Sequence, residues 1–330
     1  MAVTMAEITK LRHLTSAGLM DCKKALAETN GDIEAAVEIL RKKGQAVAAK
    51  REDRQASEGC VLAANEGNFA AVVALKCETD FVAKNAGFVD LTKQILAAAL
   101  SNKVKSADEL KALSLNGQTI ADLIIEESGK TGEKMELGAY EYVEAPSTTS
   151  YNHLGNKLAT IVGFNVEGVD YQVGRDVAMQ VASMNPVAVD RESVPQAVKD
   201  SEYNVAVEKT KEEQVKRAVE VALKKAGINP NLVDSEAHIE SNIAKGWLTE
   251  DEADKARVII KETAEAKAAN IPEQMVKNIA EGRLNKFFKE SCLMEQEFIK
   301  DGNLTIGKYL EQAQKGLVVV EFKRVNLNED

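Results

Sequence analysis

The chain has 330 residues, of which 45% are apolar and 28% are charged, enough for two or three domains and against global disorder. Its 42 basic and 52 acidic residues give a net charge of −10, and in the absence of a strong basic patch we expect no direct nucleic-acid binding. The N-terminus lacks an apolar signal segment and no apolar run reaches about 18 residues, so we predict a cytoplasmic protein that does not contact membranes.

Apolar residues near the N-terminus recur at helical spacing in three short segments. The first stripe contains Ile8, Leu11 and Leu14, and two further stripes follow it. Gly44 comes after the third stripe and is expected to end its helix. The pattern predicts a three-helix domain over residues 1–44, with a core so small that it would usually dock onto another surface.

An alanine-rich and then charged segment, residues 45–58, is predicted to be a linker. Two β-rich runs follow it, at residues 60–64 and 69–77, and the sequence Asn65–Asn68 between them is typical of a hairpin turn. Amphipathic helical segments come next. We therefore predict a first α+β subdomain, built from antiparallel strands and helices, over residues 59–133.

The order of strand, strand and helix then recurs. Residues 135–143 and 158–166 are strand-like, and the stretch between them, 146–157, is polar. A helical segment follows and is stopped by a proline. The recurrence predicts a second, related α+β subdomain, made of residues 134–193 and 289–330.

The strands vanish between these two parts of the second subdomain. Residues 194–288 carry helical patterns only, and Val215, Val219, Ala222 and Ala226 step by four, three and four. Such spacing is typical of a coiled-coil seam. We predict an inserted helical arm, and the seam is compatible with homodimerisation through it.

The sequence offers no set of catalytic or metal-binding residues. Ser128–Thr131 resembles part of a phosphate-binding loop, but Ile124 stands where that loop needs a glycine, and Gly129 is expected to cap a helix. The histidines lack cysteine or histidine neighbours at ligand spacing; they are His13, His153 and His238. The cysteines are expected to be buried, reduced thiols; they are Cys22, Cys60, Cys77 and Cys292. We predict no cofactor, no metal and no enzymatic activity.

One short stretch, Glu78–Val82, follows an apolar strand and leads into a helix. Asp80 and Phe81 fall at this junction, where side chains are often exposed. In one interpretation Asp80 caps the helix and Phe81 packs into the core. In the other, the two residues form a protruding tip that wedges into a partner.

Two long motifs resemble the signature of translation elongation factor Ts. The first comprises Leu11-Arg12, Thr15, Ala17-Gly18 and Met20–Leu26, and the second is Cys77–Phe88. Shorter matches extend the resemblance over nearly the whole chain, at Gly132-Glu133, Tyr151–His153, Glu281–Arg283, Leu293–Phe298 and Thr305–Gly307.

The resemblance implies a fold and a function. It implies a ubiquitin-associated-like (UBA-like) three-helix domain, two related α+β subdomains and a coiled-coil arm that emerges from the second. Members of this family are guanine-nucleotide exchange factors in translation elongation. They bind the GTPase elongation factor Tu with GDP, displace its Mg²⁺ and promote GDP release so that GTP can bind.

The resemblance also implies site residues. It places Thr79, Asp80, Phe81 and Val82 in a tip that intrudes near the partner's magnesium site. We expect the N-terminal domain to contact the partner through residues at its helix ends, namely Leu11, Arg12, Leu19 and Met20. His153 lies in the polar stretch between two strands, so we expect it to face solvent and the partner's β-barrel region. A local hydrogen bond of structural importance is the alternative for His153.

Two other classes of function remain open at this stage. One is a small-molecule enzyme with a site between the two α+β subdomains, although no cluster of titratable residues supports it. The other is a non-catalytic UBA-like scaffold that binds a different protein partner, which depends on the N-terminal domain alone.

Overall fold

Helices and a few antiparallel strands give the chain the mixed α+β fold that the sequence predicts. The computed structural model describes residues 3–15 and 17–329. The chain divides into two units, of which the first comprises the residues up to Val189 and those from Glu297 onward. The second unit spans Asp190–Gln296, a range that includes the predicted arm.

The elements are numbered in chain order. Those before the second unit are α1 (Met5–Thr15), α2 (Leu19–Glu28), α3 (Ile33–Ala49), β1 (Glu58–Glu66), β2 (Phe69–Cys77), α4 (Asp80–Ala83), α5 (Ala86–Ser101), α6 (Ala107–Ala112), β3 (Ser114–Leu115), β4 (Gln118–Thr119), α7 (Ile120–Thr131), β5 (Glu136–Glu144), β6 (Ser147–Asn152), β7 (Leu158–Phe164) and α8 (Tyr171–Met184). The second unit contains α9 (Gln196–Lys225), α10 (Glu236–Ala244), α11 (Glu250–Ala269) and α12 (Glu273–Ser291). The first unit resumes with β8 (Glu297–Phe298), β9 (Asp301–Thr305), α13 (Ile306–Ala313) and β10 (Val319–Asn326).

The first three helices pack around a small apolar core. Its buried members are Ile8, Leu11, Cys22, Ala25, Leu26 and Ala36. The buried face of α1 continues through Thr15, whereas Leu14 is 62% exposed. The expectation that Leu14 extends the core stripe is therefore wrong. The buried face of α1 passes from Leu11 to Thr15, and the residue before Thr15 points to the surface.

Gly44 does not end α3, which continues to Ala49, so that prediction is wrong and the predicted linker begins as helix. Gly44 lies instead against Gly129 of α7, where a Cβ placed on Gly129 would come 2.3 Å from the Gly44 Cα. The two glycines let the helices approach more closely than larger residues would allow. Gly129 is also not the predicted cap of α7, since Gly132 takes that position with a φ of +73°.

The first sheet has the strand order β1-β2-β5 and is antiparallel throughout. Glu66 pairs with Phe69, so the predicted hairpin is closed by a two-residue turn. The prediction that residues 135–143 belong to the second subdomain's sheet is wrong, because β5 pairs along β2 from Phe69↔Glu144 to Lys76↔Glu136. The pairing covers the edge of β2 that would otherwise remain open.

The strands β1 and β2 are buried on both faces. Along β2, Phe69, Val73 and Leu75 face a core that includes residues of α5, α6 and α7, while Val72 and Ala74 face the second sheet. This explains why β2 reads as a continuous apolar run rather than as an alternating one.

The second sheet has the strand order β10-β7-β6. Its edge strand β6 lies within the polar stretch 146–157, for which the sequence analysis expects no strand. Polar residues can form this buried strand when their side chains are hydrogen-bonded. Thr148 and Thr149 are buried, and Thr148 Oγ1 donates to the Gly67 carbonyl at 3.0 Å. On the far side of the sheet, Thr160 Oγ1 donates to the Ala178 carbonyl of α8 at 2.8 Å.

The second unit has an apolar core of its own. The core is formed by the end of α9, by the loop that follows it and by α10 and α11. Its buried members are Leu223, Ile228, Val233, Ile239, Leu248, Ala253 and Ala256. Val219 and Ala226 pack against the same cluster. The predicted seam therefore finds its partner helix, α11, within the same chain.

None of the helices within the described residues is long and apolar enough to cross a membrane. Cys22, Cys60, Cys77 and Cys292 are buried and free, which confirms their prediction as buried, reduced thiols. Burial raises the pKa of Cys77 to about 12 and that of Cys292 to about 11, so neither is a reactive thiolate at neutral pH.

Candidate functional site

The segment after β2 forms a short helix, α4. Thr79 is its N-cap, and the Thr79 side chain accepts a hydrogen bond from the Val82 amide at 3.4 Å. Ala83 is buried and Val82 packs partly on the core, but Phe81 is 84% exposed. The interpretation with Asp80 as N-cap and Phe81 as a core residue is therefore wrong.

Exposure of Phe81 is unfavourable for the isolated protein. A phenylalanine side chain left in water forgoes about 1.5–3 kcal/mol of burial free energy. The neighbouring core shows what a buried phenylalanine achieves here, since Phe69 is 0% exposed and stacks on Tyr142 with a centroid distance of 5.6 Å. A large apolar side chain held away from such a core marks a surface that another molecule can cover.

Charged residues lie near Asp80, the residue before Phe81. The Asp80 carboxylate lies 2.6 Å from Lys84 Nζ, one turn along the helix, and this contact holds the pKa of Asp80 below its usual value, with a smaller contribution from Lys157. Lys157 pairs with Glu58 at 2.9 Å. Asp80 is thus a half-exposed, ionised acceptor next to an exposed aromatic ring.

His153 lies in the turn between β6 and β7, and it is exposed. The turn is fixed by hydrogen bonds from the His153 amide to the Leu158 carbonyl at 2.9 Å and from the Asn156 amide to the His153 carbonyl at 3.2 Å. His153 Nδ1 also lies 3.0 Å from the Tyr151 hydroxyl, so this side chain is both exposed and locally hydrogen-bonded.

The tip of the same turn carries Leu154, which is 95% exposed and which the sequence analysis does not identify as a site residue. The available signal was its position, because a lone leucine among Asn152, His153, Gly155 and Asn156 is unusual in a turn.

The N-terminal site residues divide into two groups. Arg12, Leu19 and Met20 are exposed, with 43% exposure for Leu19 and 60% for Met20. Leu11 is 0% exposed within the three-helix core, so it supports this surface from beneath and its side chain cannot contact a partner directly. Leu14, at 62% exposure, adds an apolar side chain to the exposed set.

The phosphate-loop-like residues are engaged in structural contacts. Ser128 Oγ donates to the Glu133 carbonyl, and Lys130 pairs with Glu126 at 2.8 Å and with Glu127 at 3.4 Å. In residues 3–15 and 17–329, no three or more histidine, cysteine or acidic residues are grouped in a way that could hold a metal ion. The exposed tip, turn and helix ends remain as surfaces that another molecule can cover.

Comparison with known proteins agrees with these motifs. The family model described as elongation factor TS matches residues 78–220 and 205–329. The chain is 59% identical over 328 residues to the elongation factor Ts of Phocaeicola vulgatus and 57% identical to that of Parabacteroides distasonis, with 99% of each chain covered in both cases. It is 47% identical over 331 residues to the elongation factor Ts of Porphyromonas gingivalis, with 100% of each chain covered.

Proposed function

This chain belongs to the elongation factor Ts family, and from that premise we propose that it is a guanine-nucleotide exchange factor for the GTPase elongation factor Tu. It binds the GTPase in its GDP form and accelerates GDP release during translation elongation. The observation that carries the proposal is Phe81, which stands 84% exposed on a helix capped and anchored at its start.

Exchange of this kind requires no catalytic group in the exchange factor. The partner's Mg²⁺ bridges phosphate, water and only one or two protein carboxylates, so small displacements of the surrounding helices disturb it. Phe81 inserts between partner helices and gains the burial free energy that it lacks in the free protein. Asp80 accepts hydrogen bonds from backbone amides freed by that movement, or alters the field around the ion.

Binding and exchange are coupled in both directions. Whatever factor this protein imposes on GDP affinity, GDP imposes equally on the affinity of this protein. GTP binding then displaces the exchange factor, and the cycle repeats.

Two further surfaces supply affinity in this proposal. The exposed helix ends with Arg12, Leu19 and Met20 form one contact with the partner. The turn with His153 and Leu154 forms another, directed at the partner's β-barrel region. Because three separate surfaces share the binding, loss of the Phe81 side chain should affect exchange more than association.

The test is Phe81→Ala, assayed by stopped-flow release of a fluorescent GDP analogue from elongation factor Tu. We expect the maximal release rate to fall by about tenfold or more, which corresponds to ~1.4 kcal/mol for each factor of ten. The free energy of unfolding should change by less than about 0.5 kcal/mol because the side chain is exposed.

Trp247→Ala is the matched control, since Trp247 is an aromatic residue with 65% exposure in the second unit. It should leave GDP release unchanged. A Phe81→Ala protein that accelerates release as well as the unaltered chain would contradict the proposed wedge.

A further inference from the structure

The carboxylate of Glu133 lies at the segment that leads into α4. Its Oε2 accepts hydrogen bonds from the Glu78 amide at 3.2 Å and the Thr79 amide at 3.0 Å, and its Oε1 accepts one from Thr79 Oγ1 at 2.6 Å. Hydrogen bonds to an ionised acceptor are about twice as strong as neutral ones. Glu133 thus fixes both the backbone and the side chain of the residue that caps α4.

Glu78 makes the reciprocal contact. Its Oε1 accepts a hydrogen bond from the Lys134 amide at 2.6 Å, so each glutamate binds the backbone next to the other. Glu78 also pairs with Arg51 at 3.3 Å and Arg54 at 3.0 Å, which lie in the segment after α3. The start of α4 is therefore tied to the loop after α7 and to the segment that leads from the N-terminal domain.

The helix α4 cannot set its own direction. It contains four residues, fewer than a stable isolated helix needs, and of these only Ala83 is buried. Phe81 is 84% exposed, whereas Ala83 is buried and Val82 packs partly on the core. The core contacts hold the end of α4, and the direction in which Phe81 projects depends in addition on the residues that hold its start, Glu78 and Thr79.

We propose that Glu133 is a positioning residue for exchange, which fixes the direction in which Phe81 projects through its three hydrogen bonds to Glu78 and Thr79. The inference rests on the proposed function and extends it to a residue that does not touch the partner's nucleotide. Without Glu133, α4 samples other orientations, and only the fraction with Phe81 correctly directed can insert.

The test is Glu133→Gln, with GDP release measured at increasing concentrations of the exchange factor. The amide can replace one oxygen, but its NH₂ group cannot accept the hydrogen bonds that the other oxygen receives. We expect the maximal release rate to fall by about tenfold and the half-saturating concentration to change by less than about twofold. In a Phe81→Ala background, Glu133→Gln should cause no further loss, because both changes remove the same step.

Glu144→Gln is the matched control. Glu144 is also a glutamate whose carboxylate is paired, with Lys105 at 2.7 Å, but it lies at the end of β5 away from the capping contacts. It should leave both the maximal rate and the half-saturating concentration unchanged. If Glu133→Gln lowers the melting temperature below that of the assay, release by both the variant and the unaltered chain is measured at a lower temperature at which circular dichroism shows the variant to be folded.

The outcomes separate the positioning role from the proposed function. If Phe81→Ala slows release and a folded Glu133→Gln protein does not, the positioning role is wrong and the wedge stands. The positioning role is also wrong if the losses in release rate caused by Phe81→Ala and Glu133→Gln add in the variant that carries both changes. If Phe81→Ala itself releases GDP at the full rate, the wedge is wrong and the positioning role falls with it.

Discussion

Single residues at the end of β2 and just after it differ sharply in burial over a short stretch of chain. Cys77 is buried, Glu78 is largely covered, and Phe81 is almost fully exposed, within a few residues of one another. The covered residues fix the backbone and gain their stability from the core and from hydrogen bonds. The exposed ring then remains available for a partner, because the fold does not depend on it.

The fixing of this segment should depend on pH through Glu78. The Lys134 amide, followed by the Arg54 and Arg51 guanidiniums, holds the pKa of Glu78 below its usual range. A carboxyl with a depressed pKa in the folded state stabilises the fold above its unfolded pKa of ~4.3 and loses that contribution as the pH falls through the folded value. Urea denaturation of the unaltered chain and of Glu78→Gln should therefore differ most near neutral pH, and the difference should shrink below pH ~4. A difference that stays constant over this range would contradict the prediction.

The candidate site could be located from the sequence but not completed from it. The motif Cys77–Phe88 is long and specific enough to identify the tip. Local pattern could not decide whether Phe81 is buried, because a strand-to-helix junction allows either orientation. The proposed role of Glu133 could not be predicted from the sequence either, since its contacts with Glu78 and Thr79 join segments that are distant in the chain.

At the scale of elements, sequence pattern identified most helices and strands but not how they pair. The strand β5 was predicted as a strand and assigned to the wrong sheet, because an alternating pattern does not identify a strand's neighbour. The edge strand β6 was missed because Thr148 and Thr149 are buried through hydrogen bonds rather than through apolar side chains. Helix ends were misplaced at Gly44, where contact with another helix explains the glycine better than termination does.

Where α3 and α7 cross, we predict that replacing a glycine by alanine destabilises the protein, which is the opposite of the usual effect inside a helix. Alanine in place of a glycine inside a helix normally stabilises it by about 0.5–1 kcal/mol. At Gly129 the added Cβ would lie 2.3 Å from the Gly44 Cα, so the helices must separate. We expect Gly129→Ala to lower the free energy of unfolding by about 1–3 kcal/mol, measured by chemical denaturation.

The chain supplies its own control for this effect. Gly282 lies inside α12 and is exposed, and a Cβ there would meet no atom within 4 Å. Gly282→Ala should stabilise its unit by the ordinary helical increment. If Gly129→Ala were to stabilise the protein in the same way, the close approach of α3 and α7 would not be what requires glycine at this position.

At the scale of the whole molecule, the residues proposed for partner binding and the arm belong to different units. The proposed partner-contacting residues all lie in the first unit, namely Arg12, Leu19, Met20, Thr79, Asp80, Phe81, Val82, His153 and Leu154. Within the second unit, the end of α9 packs with α10 and α11 around a core of its own, which includes Leu223 and Ile239, and we call this part the distal arm. The rest of the unit, formed by the start of α9 and by α12, is held by other contacts, among them the ion pair of Arg283 with Glu213 at 2.5 Å. We therefore expect that the distal arm can be removed without unfolding the rest of the second unit or the first unit.

Replacement of residues 216–267 by a short Gly-Ser turn tests this separation. Val215 and Ala268 line one apolar groove between α9 and α11, so the cut ends lie on facing helices. We expect the shortened protein to fold, by circular dichroism, and to accelerate GDP release within about twofold of the full chain, because the residues that make contact are intact. Phe81→Ala introduced into the shortened protein should still slow release by about tenfold, which shows that the same step is being measured. A shortened protein that folds but no longer accelerates release would mean that the distal arm takes part in exchange, contrary to the assignment of that function to the first unit alone.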